Sequence, residues 1–144
     1  MPTTYSAEVS DSDFCEALLG TWRLTSYEMD VNGARLKPFG DSPQRYLVYT
    51  TDDHVFLQIA TRAARVWPGP EFLGLPTAQR MAAVGVWVYC GRFEVADGQV
   101  VHKREFGILP TMSGNIEPRS VALESDRLTL GGPQGGRVEW QRVH

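Results

Sequence analysis

From Thr21 to the last residue the chain is a succession of short alternating runs, each closed by a turn-forming pair, and this pattern leaves few folds open. TWRLTSYEMDV ends at Asn32-Gly33, a strong hairpin dipeptide. ARLKPF leads through GDSP to QRYLVYT, and the Asp52-Asp53 pair turns the chain into HVFLQIATRA. VGVWVYCGRFEV, the turn ADG and VVHKREFGIL follow; IEPRSVALE turns at Ser125-Asp126 into RLTLGG, and RVEWQRV ends the chain. That predicts about nine antiparallel strands with hairpin spacing. Ahead of them, DSDFCEALLG predicts one short helix, with Ser12 or Asp13 as N-cap and Gly20 as its stop.

Successive hairpins in a chain of 144 residues make either a sandwich or a barrel. Closure removes exposed strand edges, so the expected fold is all-β: an antiparallel up-and-down barrel of about 8–10 strands with a short N-terminal helix. Residues 1–10 read as a loose tail and residues 11–144 as one barrel domain. The single long interruption, residues 64–83, contains three prolines and a helical stretch from Thr77 or Ala78 towards Ala83. Such a segment is either a lid or an excursion covering one barrel end.

Glycine and tryptophan open the first strand (Gly20-Thr21-Trp22), and Arg142 stands in the last. This resembles the closing device of the lipocalin superfamily, in which the arginine packs over the tryptophan across the barrel floor. The likeness extends along the chain through GTWRLTSYE, PQRYLVYT, YCGRFEV with VVH, RSVALESDRLTL and WQR. In that order these elements resemble the bacterial and fungal lipocalin-like domain family over residues 18 to 143, with Arg45 where the family has glycine and Phe93 where it has tyrosine. The resemblance implies a lipocalin-like barrel; it implies no particular reaction.

A barrel of this size holds packed side chains or one small ligand, so the inward polar groups matter most. Alternation places Glu117 and Arg119 on the face of Val121 and Leu123, and Val138 and Trp140 on that of Arg142. In VVHKREFGIL, His102, Arg104, Phe106 and Ile108 share a face opposite Lys103 and Glu105, which read as solvated. Charge inside a barrel is costly unless paired. An Arg–Glu cluster beside a histidine suits a carboxylate, enolate or 1,3-dicarbonyl group; the plainer reading is a cross-strand ion pair near the rim and a histidine satisfied in the core. His102, Glu117, Arg104 and Arg119 are thus the candidate catalytic residues, and Tyr46, Phe56, Trp87, Tyr89 and Phe106 the candidate ligand-binding ones.

Other chemistries lack their signatures. His54, His102 and His144 are too dispersed for a metal cluster, and no glycine-rich phosphate loop or Gly-x-Ser-x-Gly elbow is present. No metal or cofactor is expected. A net charge of −3 gives no basic patch for nucleic acid, and no apolar run is long enough to span a membrane. Cys15 and Cys90 form no disulfide framework, and with no signal peptide a cytoplasmic location follows by elimination. The expected partner is a small hydrophobic or amphipathic organic molecule held in the barrel. The alternative is a cofactor-independent cyclase or isomerase acting on a polyketide- or terpenoid-like substrate, with arginine polarising a carbonyl and His102 or Glu117 moving a proton. Nothing in the sequence excludes a homodimer.

Overall fold

The glycine, tryptophan and arginine at the chain ends meet. The computed structural model describes residues 2–4 (backbone only), 9–60, 86–108, 113–131 and 135–144. Helix α1, Asp11–Leu18, starts at Ser10, whose hydroxyl accepts the Asp13 amide at 3.1 Å, two residues earlier than Ser12. Asp11 and Asp13 complement the positive end of the helix, and Phe14 and Leu18, one turn apart, are buried. Its C-terminal carbonyls find donors from both ends of the barrel sheet. The Trp22 indole donates to Leu18 O at 2.9 Å, and the Arg142 guanidinium donates to Ala17 O at 2.7 Å and Leu19 O at 3.0 Å. The same guanidinium lies 4.2 Å above the Trp22 ring. The helix has no basic residue in its last turn, and Arg142 supplies that charge from across the fold.

The strands are β1 (Pro2–Thr4), β2 (Gly20–Val31), β3 (Ala34–Leu36), β4 (Tyr46–Tyr49), β5 (His54–Ala60), β6 (Val86–Ala96), β7 (Gln99–Gly107), β8 (Ile116–Glu124), β9 (Arg127–Gly131) and β10 (Arg137–Arg142). Eight of them close on themselves in the order β2, β4, β5, β6, β7, β8, β9, β10, all antiparallel, with β10 returning to β2. The expected up-and-down barrel is therefore the fold. β3 forms a short hairpin with the far end of β2, and β1 lies within the segment read as a tail, pairing with β8. The expected long segment, 64–83, with its helical stretch, lies outside the described residues.

Turn chemistry appears where the dipeptides put it: Asn32 and Gly33 take φ of 51° and 80°, and Asp97 and Gly98 take 52° and 78°, as two-residue hairpins require. One irregularity reshapes the wall. Between β6 and β7, Cys90 pairs with Phe106 but Gly91 pairs with Arg104, so Glu105 is an extra residue. Gly91 makes this approach close: a Cβ there would stand 2.0 Å from Lys103 O and 2.8 Å from Glu105 N, both backbone atoms. Gly91→Ala is expected to cost about 1–3 kcal/mol in a urea titration, because the bulge must widen to accept it. Unchanged stability would contradict the close approach.

Candidate polar cavity in the barrel

Inward positions are mostly apolar: Trp22, Leu24, Leu47, Val55, Leu57, Ile59, Phe93, Leu128, Leu130 and Trp140 belong to one buried core packed under α1. Among them β4, β6, β7 and β8 carry a polar set. His102 on β7 is fully buried between two tyrosine hydroxyls, with Nε2 2.7 Å from Tyr49 and Nδ1 2.6 Å from Tyr89. Two residues on, Arg104 lies 4.3 Å over the Tyr89 ring and reaches Glu117 on β8. Arg119 reaches the same carboxylate oxygen, so Glu117 Oε2 is shared by two guanidinium groups, with side chains 6% and 10% exposed against 26% for Glu117. Arg119 also donates to Gly131 O at 3.3 Å. Glu117 thus offsets only one of the two positive charges, and the buried Arg104 Nε has no hydrogen-bond partner among the described residues.

The protonation states follow from these surroundings. Burial, reinforced by the positive charges of Arg119 and Arg104, pushes the His102 imidazole down from 6.5 to about 3. Burial likewise raises Tyr49 well above its ordinary range, and raises Tyr89 against the opposing pull of Arg119 and Arg104. His102 is therefore neutral, with one ring nitrogen donating and the other accepting. In the unfolded chain it takes up a proton near pH 6.5, and in the folded one only near 3. The stability tied to the neutral ring is thus complete above pH 6.5 and is lost as pH falls towards 3, at about 1.4 kcal/mol per pH unit inside that window. His102→Phe should flatten the slope of unfolding free energy between pH 6 and 4 by about that amount. Denaturant titrations at stepped pH measure it, and an equally steep slope in the variant would contradict the assignment.

Two spaces that share lining residues lie beside this cluster. The larger, about 220 Å³, is lined by the charged Arg104, Glu117 and Arg119 and by the aromatic Tyr27, Phe39 and Trp87. Arg119, Tyr27 and Trp87 also border a smaller inner space of about 20 Å³, which Tyr89 and Trp140 line with aliphatic core residues. Of the candidate catalytic residues, Arg104, Glu117 and Arg119 face the larger space directly. His102 borders neither among the described residues and reaches the cavity only through the Tyr89 hydroxyl.

Trp87 and Tyr89, expected as ligand-binding residues, face inward. Three others do not, and the inward reading of them is corrected. Tyr46, Phe56 and Phe106 are 44%, 47% and 63% exposed on the outer wall. On β4 and β5 the inward residues are Leu47, Tyr49, Val55, Leu57 and Ile59, which leaves Tyr46 and Phe56 on the opposite parity. Phe106 is turned out by the extra residue at Glu105, and pairs with Cys90 on the same outer row as Phe56. Sequence reasoning missed Tyr27 and Phe39. Tyr49 was readable from its parity with Leu47 in YLVY; Tyr27 on β2 and Phe39 in the loop after β3, whose rings pack 5.3 Å apart, had no such signal. Cys15 and Cys90 are unbonded, and among the described residues no group of three or more His, Cys, Asp or Glu could hold a metal ion.

The family model for the lipocalin-like domain matches residues 19–141. The chain belongs to the lipocalin-like domain family. The match begins one residue before Gly20 and ends one before Arg142, so it spans the whole closed barrel from its first strand to its last. A search of the curated proteins finds no match. Among the described residues, no helix of this lipocalin-like protein is long and apolar enough to cross a membrane.

Proposed function

We propose that this lipocalin-like barrel binds a small amphipathic organic molecule in its cavity, with the apolar part against Trp87, Tyr27 and Phe39 and a polar group against Arg104 and Arg119. One observation carries the reading: a space of about 220 Å³ in the closed barrel is lined both by an Arg–Glu–Arg cluster and by aromatic rings. A barrel built only for packing gains nothing from buried charge, which costs more than it returns unless some group uses it. Mostly apolar walls with a few convergent polar groups are what small-molecule sites have in common.

A second reading has its own observation. His102, neutral and held between Tyr49 and Tyr89, joins the interior to the cavity through hydroxyl groups that can pass a proton. In a cofactor-independent isomerase or cyclase, Arg104 and Arg119 would polarise a carbonyl, Glu117 would take or return a proton, and His102 would act through Tyr89. Incubating the protein with fractionated metabolites from its source organism separates the two readings. A compound retained and released unchanged, bound more weakly by the Arg119→Met variant, identifies a carrier. A compound converted to an isomer of equal mass, with conversion abolished in Glu117→Gln while binding persists, identifies an enzyme. A protein that retains and converts nothing contradicts both.

A further inference from the structure

The hydrogen bonds around His102 have a direction, and it leads to the inner space. Among the described residues the Tyr49 hydroxyl has only one hydrogen-bond partner, His102 Nε2, and Tyr49 is 1% exposed. A buried O–H that fails to donate costs about 1–3 kcal/mol, and of the two tyrosines only Tyr89 also borders a space that a second acceptor can enter, so Tyr49 is the one that donates to His102, at Nε2. The neutral ring then carries its proton on Nδ1 and donates it to the Tyr89 oxygen. Tyr89 is left with its own O–H proton and no acceptor for it among the described residues.

Tyr89 borders the inner space of about 20 Å³, enough for roughly one water-sized group. So does Trp140, fully buried, whose Nε1–H has no partner among the described residues. Arg119 borders it as well, and no carboxylate among the described residues does. Three donor-bearing residues therefore border one small space in a wall otherwise largely of core side chains such as Leu57 and Ile59. The charges point the same way. Arg104 and Arg119 share the single carboxylate of Glu117, leaving one positive charge without a counterion among the described residues.

We propose that the inner space is an oxyanion-accepting subsite that selects organic carboxylates: one carboxylate oxygen takes the Tyr89 and Trp140 protons, and the charge completes the Arg104–Glu117–Arg119 cluster. Arg119 borders both spaces, so the acid group is drawn to the inner end and the apolar body fills the larger one. Orphan donors are what a specific acceptor would satisfy, and charge-assisted bonds of this kind are about twice as strong as neutral ones. The inference rests on the cavity-binding reading above and adds the chemistry of the ligand and its direction.

Three naphthalene probes of similar size test it by calorimetry on the unmodified protein: 2-naphthoate, 2-acetylnaphthalene and 2-naphthylmethylamine. The carboxylate should bind at least about tenfold more tightly than the ketone, and the amine least. Tyr89→Phe and Trp140→Phe, each checked for native near-ultraviolet circular dichroism, should each weaken naphthoate by about three- to tenfold and narrow its lead over the ketone. A ketone bound as tightly as the carboxylate, a preference for the amine, or an undiminished lead in both folded variants overturns the subsite while leaving cavity binding intact. If no probe of any charge binds, the cavity-binding reading falls and takes the subsite with it.

Discussion

Trp22→Ala is expected to lower the free energy of unfolding by about 3–5 kcal/mol, a large fraction of what a domain of this size has in reserve. Trp22 is fully buried at the start of β2, and three things depend on it. Its ring fills the barrel floor beneath α1, its N–H satisfies Leu18 O at the helix end, and its face receives the Arg142 guanidinium. Truncation leaves a cavity, an unpaired helix carbonyl and an arginine held by Ala17 O, Leu19 O and the Asp126 carboxylate but no longer stacked on a ring. Trp22→Phe should recover most of the packing and cost about 1–2 kcal/mol, chiefly the lost hydrogen bond and the weaker stack. Urea titrations followed by far-ultraviolet circular dichroism separate the two. Equal stability of all three proteins would contradict the role of Trp22 as the joint between helix and barrel.

Glu117→Ala carries the second large effect, about 3 kcal/mol of destabilisation. Glu117 is the shared partner of Arg104 and Arg119, and removing it leaves two nearly buried guanidinium groups facing one another. The cost therefore arises mainly from the charges left behind. The combined replacement Arg104→Met, Glu117→Leu and Arg119→Met should then regain most of the loss or exceed wild-type stability, while abolishing selective uptake of any polar ligand. Thermal melts of the single and triple variants give the answer. A triple variant less stable than Glu117→Ala would mean that the cluster holds the barrel together, and that its charges exist for the fold.

Much of this architecture was legible because it is written locally. Period-two alternation and the dipeptides Asn32-Gly33 and Asp97-Gly98 specify hairpins within a few residues, and closure follows from having many of them. Trp22 and Arg142, though 120 positions apart, were readable as a pair because barrel closure brings chain ends together. Alternation also placed Arg104, Glu117 and Arg119 correctly, since each shares its face with a strongly apolar or already paired neighbour. Phe106 failed for a physical reason: one extra residue at Glu105 reverses parity beyond it, and the clue was Gly91 on the opposite strand, where only a glycine admits the bulge. Tyr46 and Phe56 failed because an aromatic ring was taken as evidence of burial. His54 and Gln58, on the same face as Phe56, marked that face as the outer one. The direct partners of His102 were invisible, because which hydroxyl meets which ring nitrogen depends on how β4, β6 and β7 stack around the closed sheet.

The central claim is that the polar cavity exists to hold a small molecule, and native mass spectrometry of protein purified gently from its own host tests it most directly. The account predicts a bound species of a few hundred daltons (roughly the size that fills a pocket of this class), lost on denaturation and absent from the Arg104→Met, Glu117→Leu, Arg119→Met variant. Bare protein mass, together with no saturable uptake of any of the three naphthalene probes, would contradict it and leave the buried charges as a feature of the fold alone.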